Sequence, residues 1–130
     1  FYKETIFHRV INNYMIQGGG FTREMSEKTT QPPIVNESNN GLLNSAGTIA
    51  MARTNDPNSA TAQFFINLID NNFLNYTSPE AGSIGYCVFG KITEGMNVIR
   101  KIGQLPTGNS KGFSDVPIRP VIIINAKHIN

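Results

Sequence analysis

The chain predicts a mainly β fold, built as an antiparallel sheet system or a barrel. Short runs rich in β-branched and aromatic residues recur along it, cut apart by 12 glycines and 7 prolines. Only one late segment repeats its apolar residues at helical spacing. At 130 residues, 39% hydrophobic and 15% charged, the chain suits a single domain over 1–130 with a buried core.

In order, residues 5–11 are β-branched and aromatic and read as a strand. Asn12-Asn13 reads as a turn, because asparagine tolerates left-handed backbone. Residues 14–17 read as the returning strand, and Gly18-Gly19-Gly20 allows a bend or a close backbone approach. Residues 23–44 are polar, contain Pro32-Pro33, and read as a long ordered loop of the kind that is usually functional. Residues 48–51 and 64–69 read as strands, 71–79 as turns and 86–92 as another strand. Thr93 is placed to cap a helix over 94–104, where Met96, Ile99 and Ile102 recur at helical spacing and Pro106 and Gly108 end it. Residues 120–129 read as a final strand; Val121 to Ile124, the longest apolar run, reads as buried.

Composition excludes several classes of function. A net charge of +2, with basic residues scattered in runs no longer than two, gives no electrostatic footprint for nucleic acid. No apolar stretch is long enough to span a membrane as a helix. Cys87 is alone, which excludes an internal disulfide, and it reads as a small buried hydrophobe. His8 and His128 stand far apart, so no metal-site spacing exists and neither metal nor cofactor is expected.

Residues 7–21 are the most informative stretch. They place the Arg9 guanidinium among apolar and aromatic groups, with Gln17 nearby and the glycines behind. Arginine stays protonated, so it does not act as a base; it presents a fixed fork of donors. Such a site binds and polarises rather than attacks. The glycine run lacks the lysine and spacing of a phosphate loop. His8 lies on the opposite strand face from Arg9 and reads as a satisfied structural histidine, while the asparagines over 36–44 read as turn formers. Phe64 and Phe65 are adjacent on a strand and so face opposite sides.

Five segments then line up in order. Phe7-His8-Arg9-Val10-Ile11, Met15-Ile16-Gln17-Gly18-Gly19, Gly47-Thr48-Ile49-Ala50-Met51-Ala52, Ala62-Gln63-Phe64-Phe65-Ile66, and Val88-Phe89-Gly90-Lys91 with Glu94-Gly95-Met96 closely resemble the cyclophilin peptidyl-prolyl cis/trans isomerases. Met51-Ala52-Arg53-Thr54 and residues 67–74 resemble the bacterial members most. The resemblance implies a closed eight-stranded antiparallel barrel with a helix capping each end and a groove on its outer wall. It implies that two strands and a helix precede the point where this chain starts, so that 1–130 is an N-terminally incomplete domain.

Carried over by position, Arg9 matches the catalytic arginine. Met15, Phe65 and Leu74 match walls of a proline pocket, and Gln17 the residue that holds the substrate carbonyl. Ala52, Arg53, Thr54 and Gln63 match the floor and rim beside it. Tyr14, Phe73 and Tyr86 stand where the best-known eukaryotic members carry phenylalanine, tryptophan and histidine. The Tyr14 ring keeps the pocket, whereas Phe73 and Tyr86 imply weak cyclosporin binding.

The implied activity is isomerisation of X-Pro bonds in proline-containing peptides and unfolded protein clients, assisting folding without a covalent step or a cofactor. A module that grips proline segments without turnover would use the same groove. A hydrolase built on His8 finds no nucleophile or ordering carboxylate at suitable spacing. The resemblance implies a bacterial cytoplasmic or periplasmic protein, and nothing in the sequence demands more than a monomer.

Overall fold

The computed structural model describes residues 1–80 and 82–129. Its first unit is the hairpin read from Asn12-Asn13: β1 (Arg9–Ile11) pairs antiparallel with β2 (Met15–Gly18), putting Arg9 opposite Gln17. Asn13 takes φ 60°, the left-handed geometry a tight turn needs. β3 (Thr48–Met51), β4 (Phe64–Asn67) and β5 (Val88–Lys91) complete a five-stranded antiparallel sheet in the order β1-β2-β4-β3-β5. A single 3-10 turn, Asn72–Leu74, follows β4. The helix α1 (Met96–Gly103) and a separate hairpin, β6 (Thr107–Ser110) with β7 (Phe113–Pro117), follow β5.

Alternation along the strands divides the core in two. Met15, Ala50, Phe65, Leu74 and Val88 form one buried cluster, edged by Tyr14 and Tyr86. Val10, Ile16, Ile66 and Phe7 form the other, onto which Ile99 and Ile102 of α1 pack. Phe65 and Phe64 thus part as adjacent strand residues must, Phe64 meeting the Phe7 ring edge-on at 5.9 Å.

Several expectations are corrected. Among the described residues the sheet does not close into a barrel: there are seven strands and one α-helix, the single helix matching a chain expected to lack the first of the two. Closure needs the outer strands to bond to each other, and here β1 and β5 remain the two edges. Thr93 does not cap α1: Gly95 does, at φ 86°, with no side-chain cap. Residues 120–129 form no continuous strand. Ile122 bridges Ile6, and Val121 and Ile123 exchange backbone bonds with Phe7, Glu4 and Thr5, but Ile124 is 76% exposed rather than buried. The β6–β7 hairpin falls where only a helix stop was read. Asn36 and Asn40 form turns as read, accepting from the Ser38 and Leu42 nitrogens, but Asn44 is fully buried and donates to distant backbone instead.

Candidate active site

A groove of about 340 Å³ opens on the face of the sheet that carries Met15 and Phe65. The β1–β2 register sets Arg9 beside Gln17, and pairing of β2 with β4 sets Gln17 opposite Phe65. One strand crossing therefore brings together the cation, the amide and the aromatic floor. Met15, Phe65 and Leu74 are buried apolar walls, and the small buried Ala52 lines the groove with them. Tyr86 meets Phe65 edge-to-face at 5.7 Å, and Tyr14 packs at the edge of the same cluster.

The polar side of the groove is a chain of three side chains. Arg9 Nη1 donates to Gln17 Oε1 at 3.4 Å, and Gln17 Nε2 donates to Gln63 Oε1 at 2.9 Å. Gln63 follows the loop before β4, and its position depends on Gly20: a Cβ there would lie 2.5 Å from Gln63 Cγ. The glycine run is thus a close approach behind the groove. Arg9 is exposed and lines the groove, and its one side-chain bond, to Gln17, is long, so most of its five donors are left for a ligand or water.

Arg53 is held differently. Its guanidinium lies over the Tyr86 ring, 4.4 Å from the centroid, and donates to the Thr54 and Ile84 carbonyls at 2.8 Å each. It clamps two rim segments together. Thr54 lies outside the main groove, in an adjoining polar recess of about 250 Å³ that Gln17, Arg53 and Gln63 share. Phe73 also lies outside: it is 75% exposed and stacks on Tyr14 at 5.8 Å, buttressing that wall from behind.

Sequence reasoning missed His8, Phe21, Glu27, Phe113 and Ser114, which also line the groove. The β6–β7 hairpin folds against β1 and brings Phe113 over His8 and Phe21. The hairpin itself was unread, so no local signal pointed to this grouping. His8 is buried, and its Nδ1 has no hydrogen-bond partner, which corrects its reading as a satisfied structural residue. Burial, with Arg9 adding to it, lowers His8 to a pKa of about 4, so the ring is neutral at pH 7. Burial raises the Tyr14 phenol, Arg9 opposing and Tyr86 adding to the rise. Burial raises the half-buried Cys87 thiol too, which favours its protonated form. No group of three or more potential metal ligands occurs among the described residues.

A donor fork beside an apolar pocket suits recognition of a ring next to an amide. Among the lining residues the neutral His8 ring is packed against Phe21 and Phe113, and no serine, threonine or cysteine is hydrogen-bonded to it. Comparison with known proteins agrees. The family model described as cyclophilin type peptidyl-prolyl cis-trans isomerase/CLD matches residues 1–128. The chain is 59% identical to peptidyl-prolyl cis-trans isomerase cyp18 of Streptomyces antibioticus, covering 97% of this chain and 76% of that protein. It is 57% identical to peptidyl-prolyl cis-trans isomerase B of Escherichia coli (strain K12), covering 95% and 75%. A crystal structure of a Cryptosporidium parvum cyclophilin type peptidyl-prolyl cis-trans isomerase in the presence of the dipeptide Ala-Pro superposes with a TM-score of 0.74. It has 28% identity and covers 100% of this chain and 78% of that one. The fold is therefore the cyclophilin fold, mainly β.

Proposed function

Because this chain belongs to the cyclophilin-type peptidyl-prolyl cis-trans isomerase family, and accelerates rotation about peptide bonds that precede proline, we propose that Arg9 is the group that lowers the barrier. The observation that carries this is the chain Arg9–Gln17–Gln63 running along one side of an apolar pocket.

The X-Pro amide resists rotation through resonance, with a barrier of roughly 18–20 kcal/mol. At the twisted transition state resonance is lost and the proline nitrogen gains a localised lone pair. A donor aimed at that nitrogen binds the twisted state more tightly than either planar state, and only such differential binding accelerates the step. Arg9 supplies the donor. A hydrogen bond to a charged group is worth about 1.5–3 kcal/mol, which is about one to two powers of ten in rate. Substrate affinity comes from holding the amide on both sides. Met15, Phe65 and Leu74 take the proline ring. Gln17 uses one amide hydrogen on Gln63 and keeps the second for a substrate carbonyl. Twist then falls on the one bond between the two grips.

The substrates on this reading are proline-containing peptides and unfolded chains, as the Ala-Pro structure of the Cryptosporidium relative supports. Arg53, Thr54 and Gln63 border the flanking residue of the peptide, and Tyr14, Ala52, Phe73, Leu74 and Tyr86 form or brace the pocket. Exposed Phe73 and the clamped Tyr86 make a poor surface for cyclosporin, whose binding is weak. The protein acts as a monomer that assists folding in a bacterial cytoplasm or periplasm; the curated relatives cited above are bacterial. No described helix is long and apolar enough to cross a membrane. The test is Arg9→Lys, which keeps the charge but loses the planar fork, with turnover read by exchange NMR on an Ala-Pro peptide.

A further inference from the structure

We infer that three buried asparagines, Asn44, Asn67 and Asn71, are positioning residues that set the width of the proline pocket. The inference rests on the isomerase site described above. Their relative exposures are 0%, 0% and 2%, although asparagine is ordinarily a surface residue. Their amides are wired in series. Asn71 Nδ2 donates to Asn67 Oδ1 at 2.8 Å, and Asn67 Nδ2 donates to Asn44 Oδ1 at 3.0 Å and to Thr48 Oγ1 at 2.9 Å.

The ends of the series land on the backbone of the pocket. Asn71 Nδ2 donates to the Tyr14 carbonyl at 3.0 Å. Asn44 Nδ2 donates to the carbonyls of Leu74 and Tyr86, each at 3.2 Å. Three walls from distant parts of the chain are thus tied to one row of amides. The row is anchored in the sheet, because Asn67 pairs in register with Met15 and shares its strand face with Phe65, two residues before it.

Apolar side chains would fill this space without fixing it, since apolar contacts are non-directional. Satisfied buried amides are directional and rigid. The backbone on the far wall is pressed close as well. A Cβ on Gly85 would lie 2.4 Å from both the Leu74 carbonyl oxygen and the Tyr76 nitrogen. The amides, with the backbone bond from the Tyr86 nitrogen to the Leu74 carbonyl at 2.9 Å, therefore hold Leu74 and Tyr86 against the floor, and hydrogen-bond length joins side-chain packing in setting pocket width. The proline ring is gripped in both planar and twisted states, so loosening these walls weakens binding uniformly and raises KM with little change in kcat.

The experiment combines kinetics on an Ala-Pro peptide with fluorine NMR of protein labelled with 3-fluorotyrosine, which gives one signal for each of 4 tyrosines. In Asn71→Ala the Tyr14 signal shifts, in Asn44→Ala the Tyr86 signal shifts, and Tyr2 is unmoved in both. KM rises roughly 5- to 10-fold, as expected for one or two lost hydrogen bonds, while kcat stays within about twofold. Should Asn44→Ala fail to fold, the half-buried Asn75 decides: its Oδ1 accepts from the Asn44 backbone nitrogen at 2.6 Å, and Asn75→Ala raises KM in the same direction. Ile99→Ala on α1 serves as a control that loses stability without raising KM. Unchanged KM and unmoved tyrosine signals in Asn71→Ala and Asn75→Ala overturn the inference, as does an equal rise in KM in Ile99→Ala. Wild-type kcat in Arg9→Ala overturns the catalytic reading instead, and the tyrosine signals with peptide titration then still judge the asparagines.

Discussion

Gln17 and Gln63 lie 46 residues apart in sequence, yet Nε2 of the first sits 2.9 Å from Oε1 of the second. That bond orients the Gln17 amide. Its oxygen is left to accept from Arg9, and its remaining hydrogen faces the groove. Gln63→Leu keeps the bulk and removes the acceptor. We expect kcat/KM to fall about 3- to 10-fold, the equivalent of one neutral hydrogen bond. Steady-state isomerisation of an Ala-Pro peptide measures it, and an unchanged kcat/KM removes Gln63 from the site.

Gly20→Ala tests the same pair from behind. The new methyl would stand 2.5 Å from Gln63 Cγ and 2.6 Å from its Nε2. The flexible end of Gln63 yields at little cost in stability, but it yields away from Gln17. Activity is expected to drop about as far as in Gln63→Leu, with unfolding in urea changed by less than about 1 kcal/mol. A large loss of stability with full activity would show that the glycine serves only the fold.

Phe65 belongs to both the core and the pocket, at 4% exposure. Phe65→Ala is expected to cost about 3–5 kcal/mol of stability, as large-to-small core changes do, and to raise KM as well. Denaturant unfolding and peptide kinetics on the same samples check the two effects together.

His8 makes stability depend on acid. Its folded pKa is about 4 against an ordinary 6.5, so between those values the unfolded chain binds the extra proton. Stability is therefore present above pH 6.5 and is lost as pH falls toward 4. The loss approaches about 3 kcal/mol at 1.36 kcal/mol per pH unit, trimmed by the part of the ring edge that water reaches. Urea unfolding at pH 7.5 and 5 shows it, and His8→Phe, which cannot titrate, flattens the difference. An equal acid sensitivity in His8→Phe would assign it elsewhere.

Local chemistry made part of this legible. Asn12-Asn13 between two β-rich runs gives the hairpin, and the hairpin alone puts Arg9 across from Gln17. Phe64 and Phe65 part by strand alternation, and Ile99 and Ile102 mark the helix. What was not legible arises from tertiary contact. The β6–β7 hairpin is written in Thr, Gly, Asn and Ser over 107–110, a poor strand composition, and its strands are made by pairing with each other. Thr93 had the right chemistry for a cap, but Gly95, at positive φ, turns the chain two residues later. Asn44 and Asn71 carry no signal of burial, because their partners are backbone carbonyls 30 to 57 residues away. His8 falls just before β1 rather than on a strand, and it reads as satisfied in the sequence although its Nδ1 has no partner, since what covers it are the rings of Phe21 and Phe113.

Exchange NMR on an Ala-Pro peptide, comparing the wild-type chain with Arg9→Ala at equal concentration, tests the role of Arg9 most directly. A donor to the twisted nitrogen predicts that the cis–trans exchange rate under saturation falls at least about 10-fold, the loss of a charge-assisted hydrogen bond. Peptide affinity, read from shift titration, should weaken no more than about threefold. An exchange rate equal to wild type, or a loss that appears entirely as weaker affinity, contradicts it.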